Sequence, residues 1–302
     1  MKNEIEDRIF IVGCPRSGTT LLQSIVASHP EVISFPESHF FEYLYFNHFP
    51  LGIINKKPKQ KLIEFFESTD YLNLGEVSFP LEEIKGFVAD KRLAQRFIDF
   101  LDSKAMSQDK RKWVEKTPNH IICIEYIKKL VPQSKFIHII RSGKDVIASL
   151  YDASYKYPES TWQVFRNIDR CIKTWQRYTE ISLMFSNHED HLLISYEDLS
   201  SDPKIEAIKI CNFLGVSYNS LMLQRYSEVS MNLVTKKEEW KNNVVNPIQS
   251  ANNKKFLKVF TLEEQLYIQN KLVRSQENKH ISALRRKFQN PFRAYLNFLR
   301  CL

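Results

Sequence analysis

The apolar positions of this chain fall into short runs separated by turns. Ile9 to Val12 is a β-branched stretch ended by Gly13, the pattern of a strand buried on both faces of a parallel sheet. From Thr19 to Ser28 the period changes, with Leu21, Leu22, Ile25 and Val26 at helical spacing. Strand, glycine loop and helix thus follow in order. The succession returns in "KFIHIIRSGKDVIASL", where a strand is predicted over Phe136 to Ile140 and a helix behind it. Ser142 and Asp145 have the S-x-x-D spacing of a capping box, which gives Asp145 a structural duty. "HLLISY", His191 to Tyr196, is a third strand, and Pro203 opens an amphipathic helix ended by Gly215.

Strands alternating with helices predict an α/β fold, three layers in α/β/α order around a central, mostly parallel sheet. Such sheets bind ligands at the carboxyl ends of their strands, where the loop 13–20 and Arg141 both fall. A mostly helical insertion, about residues 39–110, separates the first two units, with Lys59 to Ser68 and Val88 to Lys104 as its clearest helical stretches. Insertions of this kind shape the substrate side. Without an internal repeat or a low-complexity linker, residues 1–302 are expected to form one domain. The last segment, about 280–302, is basic and carries Phe288, Phe292, Leu296 and Leu299 at helix-like spacing, expected for a tail packed on its own domain, with a helix lying on an anionic membrane as the alternative.

A formal net charge of +8 favours anionic partners without choosing among nucleotides, nucleic acid, anionic lipid and acidic glycans. Nowhere do 18 apolar residues run together, and "MKNEIEDRIF" lacks the apolar core of a secretory signal, so a cytoplasmic protein with no integral membrane segment is expected. Five scattered cysteines without a C-x-x-C pair predict neither a disulfide framework nor a metal site.

The loop "GCPRSGTT" carries the chemistry. Gly13 and Gly18 have the G-x-x-x-x-G spacing of a nucleotide P-loop, yet Thr19 and Thr20 stand where Lys and Ser/Thr would continue it. Its backbone amides and helix dipole still favour an anion, and Arg16 adds a planar fork for two oxygens. The strand at 136–140 ends in Arg141, where a kinase or GTPase needs an acidic residue for Mg²⁺. A P-loop-like site that holds a nucleotide through cationic side chains, without metal, is indicated.

"PRSGTTLL" followed by "HPEV" resembles the 5′-phosphosulfate loop of sulfotransferases that use 3′-phosphoadenosine-5′-phosphosulfate (PAPS), above all the branch with tyrosylprotein sulfotransferases and many bacterial enzymes. "IIRSGKDVIASL" resembles their 3′-phosphate segment, with Arg141 and, eight residues on, Ser149 at the matching positions. The resemblance covers about residues 8–215. It implies PAPS as donor, 3′-phosphoadenosine-5′-phosphate (PAP) as product, and in-line sulfuryl transfer to a hydroxyl without metal. Ser17, Gly18, Thr19 and Thr20 are then expected on the 5′ side, and Arg141 and Ser149 on the 3′-phosphate.

Glu37 in "SFPESHFF" matches the general base of the tyrosylprotein branch. A hydroxyl attacks sulfur well only as its proton is taken, which a nearby carboxylate can do. Lys116 in "RKWVEKTPNH" matches a lysine beside the transferring group and, with Arg16, is expected to stabilise the departing phosphate. Cytosolic sulfotransferases place a basic histidine two residues after a comparable lysine. That position is Pro118 here, and His120, two further on, is expected to cap a helix or line the pocket. Tyr196 resembles a position near the adenine, and Lys236 and Lys237, before Trp240, resemble the basic C-terminal loop over the 3′-phosphate.

Two other readings compete. A kinase or GTPase is disfavoured by the missing loop lysine and by Arg141, and a basic nucleic-acid- or glycan-binding protein would show no preference for a 3′-phosphorylated adenosine. The expected acceptor is a small-molecule hydroxyl, on a natural-product alcohol, alkaloid or glycolipid, with no nucleic-acid partner. Its pocket is expected in the insertion and the 150–180 helices, whose aromatics include Phe40, Phe41, Tyr43, Tyr151, Tyr155 and Trp162.

Overall fold

The computed structural model describes residues 4–48, 87–157, 161–233, 248 and 254–273. At its centre is a five-stranded sheet: β1 (Asp7–Gly13), β2 (Val32–Phe35), β3 (Lys112–Lys116), β4 (Lys135–Ile140) and β5 (His191–Ser195). The strands lie in the order β2-β3-β1-β4-β5, and every neighbouring pair is parallel. The apolar runs anticipated β1, β4 and β5. β2 and β3 are additional, and β3 (KWVEK) is wholly buried despite three charges.

Alternation along β1 builds the layers. Phe10 and Val12 point to one face, where they join Trp113, Phe136 and the helix Phe87–Met106 through Phe97 and Leu101. Ile9 and Ile11 point to the other, with Ile137, Ile139, Ile194 and the helices Thr19–Ala27 and Pro203–Leu214. Both faces of the sheet are therefore covered, as a parallel sheet requires. Full burial of each such side chain contributes about 1.5–3 kcal/mol.

Local signals mostly act as expected. Asp202 accepts from the Ile205 amide at 3.1 Å ahead of Pro203, and Gly215 ends that helix at φ +67°. The Ser142–Asp145 capping box does not form. The Ser142 amide donates instead to Glu197 Oε1 at 2.9 Å, and Asp145 Oδ2 faces Arg141 Nη2 at 3.5 Å. A carboxylate from beyond β5 has taken the donor, and a cation one helical turn back has taken Asp145. Helices Phe40–His48 and Phe87–Met106 form the ends of the insertion. Its 59–68 stretch, Lys236, Lys237, Trp240 and the 280–302 tail lie outside the described residues. Among the described residues no helix is long and apolar enough to cross a membrane.

Two histidines on the far side of the sheet set an acid limit to stability. His138 Nε2 and His191 Nδ1 are 2.8 Å apart, so one must donate and the other accept, and His138 Nδ1 meets Ser182 Oγ at 3.2 Å. Burial, and then the neighbouring His191, push His138 from 6.5 down to about 3; His191 is likewise lowered, chiefly by burial. Both stay neutral in the folded state while the unfolded chain takes protons below about pH 6.5. Their contribution is complete above that pH and is lost as pH falls, at about 1.4 kcal/mol per unit for each histidine. Urea unfolding at pH 7 and pH 5 is expected to differ by about 2–4 kcal/mol, and His138→Gln to flatten the slope.

Candidate active site

Parallel pairing brings all five carboxyl ends to one rim. Reading across it, the rim carries Glu37 after β2, Lys116 at the end of β3, the loop after β1, Arg141 after β4 and Tyr196 after β5. Adjacent strands are about 4.8 Å apart, so Lys116 and Arg141 flank the loop across two strand steps, about 10 Å.

The loop is built for close approach. Arg16 takes a left-handed backbone, φ +73°, and Gly18 has φ +97°. A Cβ on Gly18 would lie 2.5 Å from Tyr196 Cδ2, so a side chain is excluded on both counts. The helix Thr19–Ala27 starts with no side-chain cap and no acidic residue in its first turn. Its first amides thus lack side-chain acceptors, and Thr19 and Thr20 are buried beside them. Ser17 Oγ and Arg141 Nε are also buried without a hydrogen-bond partner. Buried donors left over at a helix N-terminus suit an anion with several oxygens, as the phosphates of PAPS provide. Cys14, in the same loop, is no nucleophile, because burial raises its thiol pKa far above the usual range.

The two motifs, 133 residues apart at this contact, meet directly: Arg16 Nε donates to Ser149 Oγ at 3.2 Å. The Arg16 guanidinium also sits 5.8 Å from the Trp162 ring. Arg141 lies over the Tyr196 ring at 4.0 Å, while Trp175 Nε1 donates to the Arg141 carbonyl at 2.9 Å. Tyr196 is therefore occupied by a cation in this structure. Beyond Ser149, a basic groove of about 460 Å³ runs between the helices Gly143–Lys156 and Lys254–Val259, lined by Tyr151, Tyr155, Lys254, Lys255 and Lys258 among others. Lys255 reaches Asp152 at 3.4 Å. No motif had marked these lysines.

Across the loop, Lys116 is 1% exposed and its Nζ lies 2.5 Å from Glu37 Oε2. The other Glu37 oxygen is 3.2 Å from His39 Nε2. Behind them Glu115, fully buried, accepts from the Ser38 amide (3.0 Å), Ser38 Oγ (2.7 Å) and Thr117 Oγ1 (2.6 Å), with His120 Nδ1 at 3.0 Å from its second oxygen. Burial alone would raise the Glu115 pKa, but His120, Thr117 and Ser38 bring it below the ordinary 4.5. The charged anchor fixes the β2–helix turn to the end of β3, and so Glu37 to Lys116.

Three expectations change here. His120 neither caps a helix nor faces the rim: it is 0% exposed, edge-on to Phe10 and Phe41 and paired with Glu115. Phe40 and Phe41 are core residues at 0% exposure, stacked on or edge-on to Phe97, so they line no acceptor pocket. Of the remaining aromatics, Tyr43 stacks on His39, Trp162 faces Arg16, and Tyr151 and Tyr155 line the basic groove.

Comparison with known proteins agrees with this geometry. The model of the "Sulfotransferase family" matches residues 8–220. The chain belongs to the sulfotransferase family, and with it to the transferases. It is 24% identical over 244 residues to a putative protein-tyrosine sulfotransferase of Caenorhabditis briggsae, covering 77% of this chain and 75% of the relative. A protein-tyrosine sulfotransferase 2 of Gallus gallus is 25% identical over 71% of this chain, which spans about half (53%) of that relative's length. Among solved structures, the sulfotransferase domain of a Synechococcus olefin synthase superposes with a TM-score of 0.55 at 18% identity, covering 89% of this chain and 95% of that one. A mouse sulfotransferase complexed with PAP gives 0.52 at 16% identity, covering 96% and 91%. At such identities these two structures establish the shared fold.

Proposed function

We propose that this chain transfers a sulfuryl group from PAPS to an acceptor hydroxyl, with Glu37 as general base. The observation that carries the reading is the buried Lys116–Glu37 pair, standing beside a loop whose helix N-terminus and Ser17 hydroxyl lack internal acceptors. When bound, the donor supplies an activated sulfuryl group on a phosphate leaving group. Glu37 takes the acceptor's proton as its oxygen becomes nucleophilic. Lys116, one strand away, offers its ammonium to the charge that grows on the departing phosphate, as does Arg16. The loop amides with Ser17, Gly18, Thr19 and Thr20 hold the 5′ side. Arg141 and Ser149 hold the 3′-phosphate, Tyr196 lies toward the adenine, and Lys236 and Lys237 are expected to close over the 3′ side.

The acceptor we favour is a small-molecule hydroxyl met in the cytoplasm. The relatives named protein-tyrosine sulfotransferases favour a second class, the phenol of a tyrosine in a peptide. Radiolabelled PAPS offered to a panel of alcohols, phenols and tyrosyl peptides separates the two.

The donor is tested by thermal melting. PAP at about 100 times its Kd is expected to stabilise the protein by about 2.7 kcal/mol, a rise of several degrees, whereas ATP and ADP at the same concentration leave Tm nearly unchanged. Equal shifts for all three nucleotides would remove the 3′-phosphate from the reading.

A further inference from the structure

The rim also holds a histidine that no motif marked. His39 has both ring nitrogens on carboxylates, Nε2 at 3.2 Å from Glu37 Oε1 and Nδ1 at 2.7 Å from Glu42 Oε2. Glu42 in turn accepts from Asn119 Nδ2 at 2.8 Å, and Asn119 Oδ1 accepts from the Tyr178 hydroxyl at 2.8 Å. The ring is thus tied to the helix Ile168–Met184 on the far side of the site. Its backbone is held as firmly. His39 has φ +54°, its amide donates to Thr117 Oγ1 at 3.1 Å, and its ring stacks on Tyr43 at 5.6 Å. A left-handed non-glycine residue costs about 1 kcal/mol or more, so these contacts must hold it there.

The Lys116 ammonium has three donors to divide between Glu37 and a departing phosphate, and as charge grows on the phosphate its hold on Glu37 weakens. As Lys116 turns to the phosphate, the His39 ring stays on the other Glu37 oxygen. We infer that His39 is the positioning residue for Glu37, its ring anchored through Glu42, Asn119 and Tyr178 so that the carboxylate keeps one orientation while Lys116 engages the donor side. This inference rests on Glu37 being the base.

A pH dependence follows. Among the described residues, the charged groups acting on the ring are Glu37 from the β2 turn, Glu42 from the helix Phe40–His48 and Glu115 from β3, with Lys116 paired to Glu37. Burial pulls the His39 pKa down, but Glu37, Glu42 and Glu115 together carry it above 6.5. A protonated ring donates to both Glu37 and Glu42. Once it loses a proton, keeping the N–H on Glu42 turns a lone pair toward Glu37 Oε1, which repels the carboxylate. Activity therefore falls on the alkaline side of 6.5, as the ring titrates.

The test uses the full chain and radiolabelled PAPS, with p-nitrophenol as probe acceptor and release of sulfate to water where p-nitrophenol turns over slowly. Asparagine tolerates the left-handed backbone, so His39→Asn is the first variant. It is expected to lower kcat roughly 10- to 100-fold, the scale of a misplaced catalytic group. Its donor KM and PAP-induced thermal shift should stay within about twofold of wild type, and its alkaline decline should vanish. Glu42→Gln, which leaves the His39 backbone alone, should give the same pattern at about three- to tenfold. In a Glu37→Gln background His39→Asn should add nothing. Wild-type kcat and pH profile in His39→Asn, beside an inactive Glu37→Gln, would overturn this inference alone. A further loss in the double variant would also overturn it, by giving His39 an independent catalytic role. Full activity in Glu37→Gln would remove the base and this inference with it.

Discussion

Glu37→Gln is expected to lower kcat by about 10²- to 10⁴-fold, with the donor KM within a few-fold of wild type. The substitution keeps the side chain's volume and a possible contact to His39 while removing the proton acceptor. General-base contributions of this size arise because the proton leaves as the new bond forms, so the loss falls on kcat. Lys116→Met should also lower kcat strongly, for a different reason. Lys116 is 1% exposed and Glu37 is 10% exposed, so deleting the ammonium removes a close ion pair from a poorly solvated carboxylate. Lys116→Met is therefore expected to cost stability as well as activity, and Glu37→Gln less of it. Initial rates at saturating donor, with parallel thermal melts, separate the two. A Glu37→Gln enzyme with undiminished kcat would exclude Glu37 as base, and suspicion would shift to His39, which lies at hydrogen-bonding distance from it with a carboxylate behind its ring.

What was legible in the sequence follows from where charges sit. β1, β4 and β5 announce themselves because their buried residues are apolar. β3 does not, because Lys112, Glu115 and Lys116 look like solvent-facing residues until their partners are placed. Lys112 pairs with Asp7 at 2.5 Å, Glu115 with His120 at 3.0 Å and Lys116 with Glu37 at 2.5 Å, each neutralised from a distant part of the chain or across a turn. Pattern reading counts a charge as exposed; burial by pairing is invisible to it. The rim residues were easier to find. Arg16, Glu37, Lys116, Arg141 and Ser149 each follow or end a strand, or stand in the helix behind one, so their local motifs survive in one dimension. His39 gave only a weak signal, its i,i+3 spacing to Glu42. Its place depends on a left-handed backbone and on Glu37 turning back toward the ring, neither of which a spacing rule encodes. The apparent capping box at Ser142 misled for the opposite reason, since a remote carboxylate, Glu197, outcompeted the local one.

Arg141→Ala is expected to raise the donor KM about 30- to 150-fold, the equivalent of about 2–3 kcal/mol for a charge-assisted bidentate contact, with kcat changed only a few-fold. The protein's own groups engage the guanidinium only partly. It lies over Tyr196 at 4.0 Å, its contact with Asp145 is long at 3.5 Å, and Nε is buried with no hydrogen-bond partner. Such a group has donors to spare for a phosphate, since its contact with Asp145 is a long one. Arg141→Lys should recover little, because an ammonium lacks the planar fork and the stacking face that Tyr196 meets. The decisive readout is discrimination rather than affinity alone. Wild-type enzyme should be inhibited far better by PAP than by adenosine 5′-phosphate, and Arg141→Ala should bring the two inhibition constants together. If the variant weakened both inhibitors equally, Arg141 would be supporting the loop through Tyr196 and Gly18 instead of reading the 3′-phosphate, and selectivity for the donor would have to come from Ser149 and the lysines of the neighbouring groove.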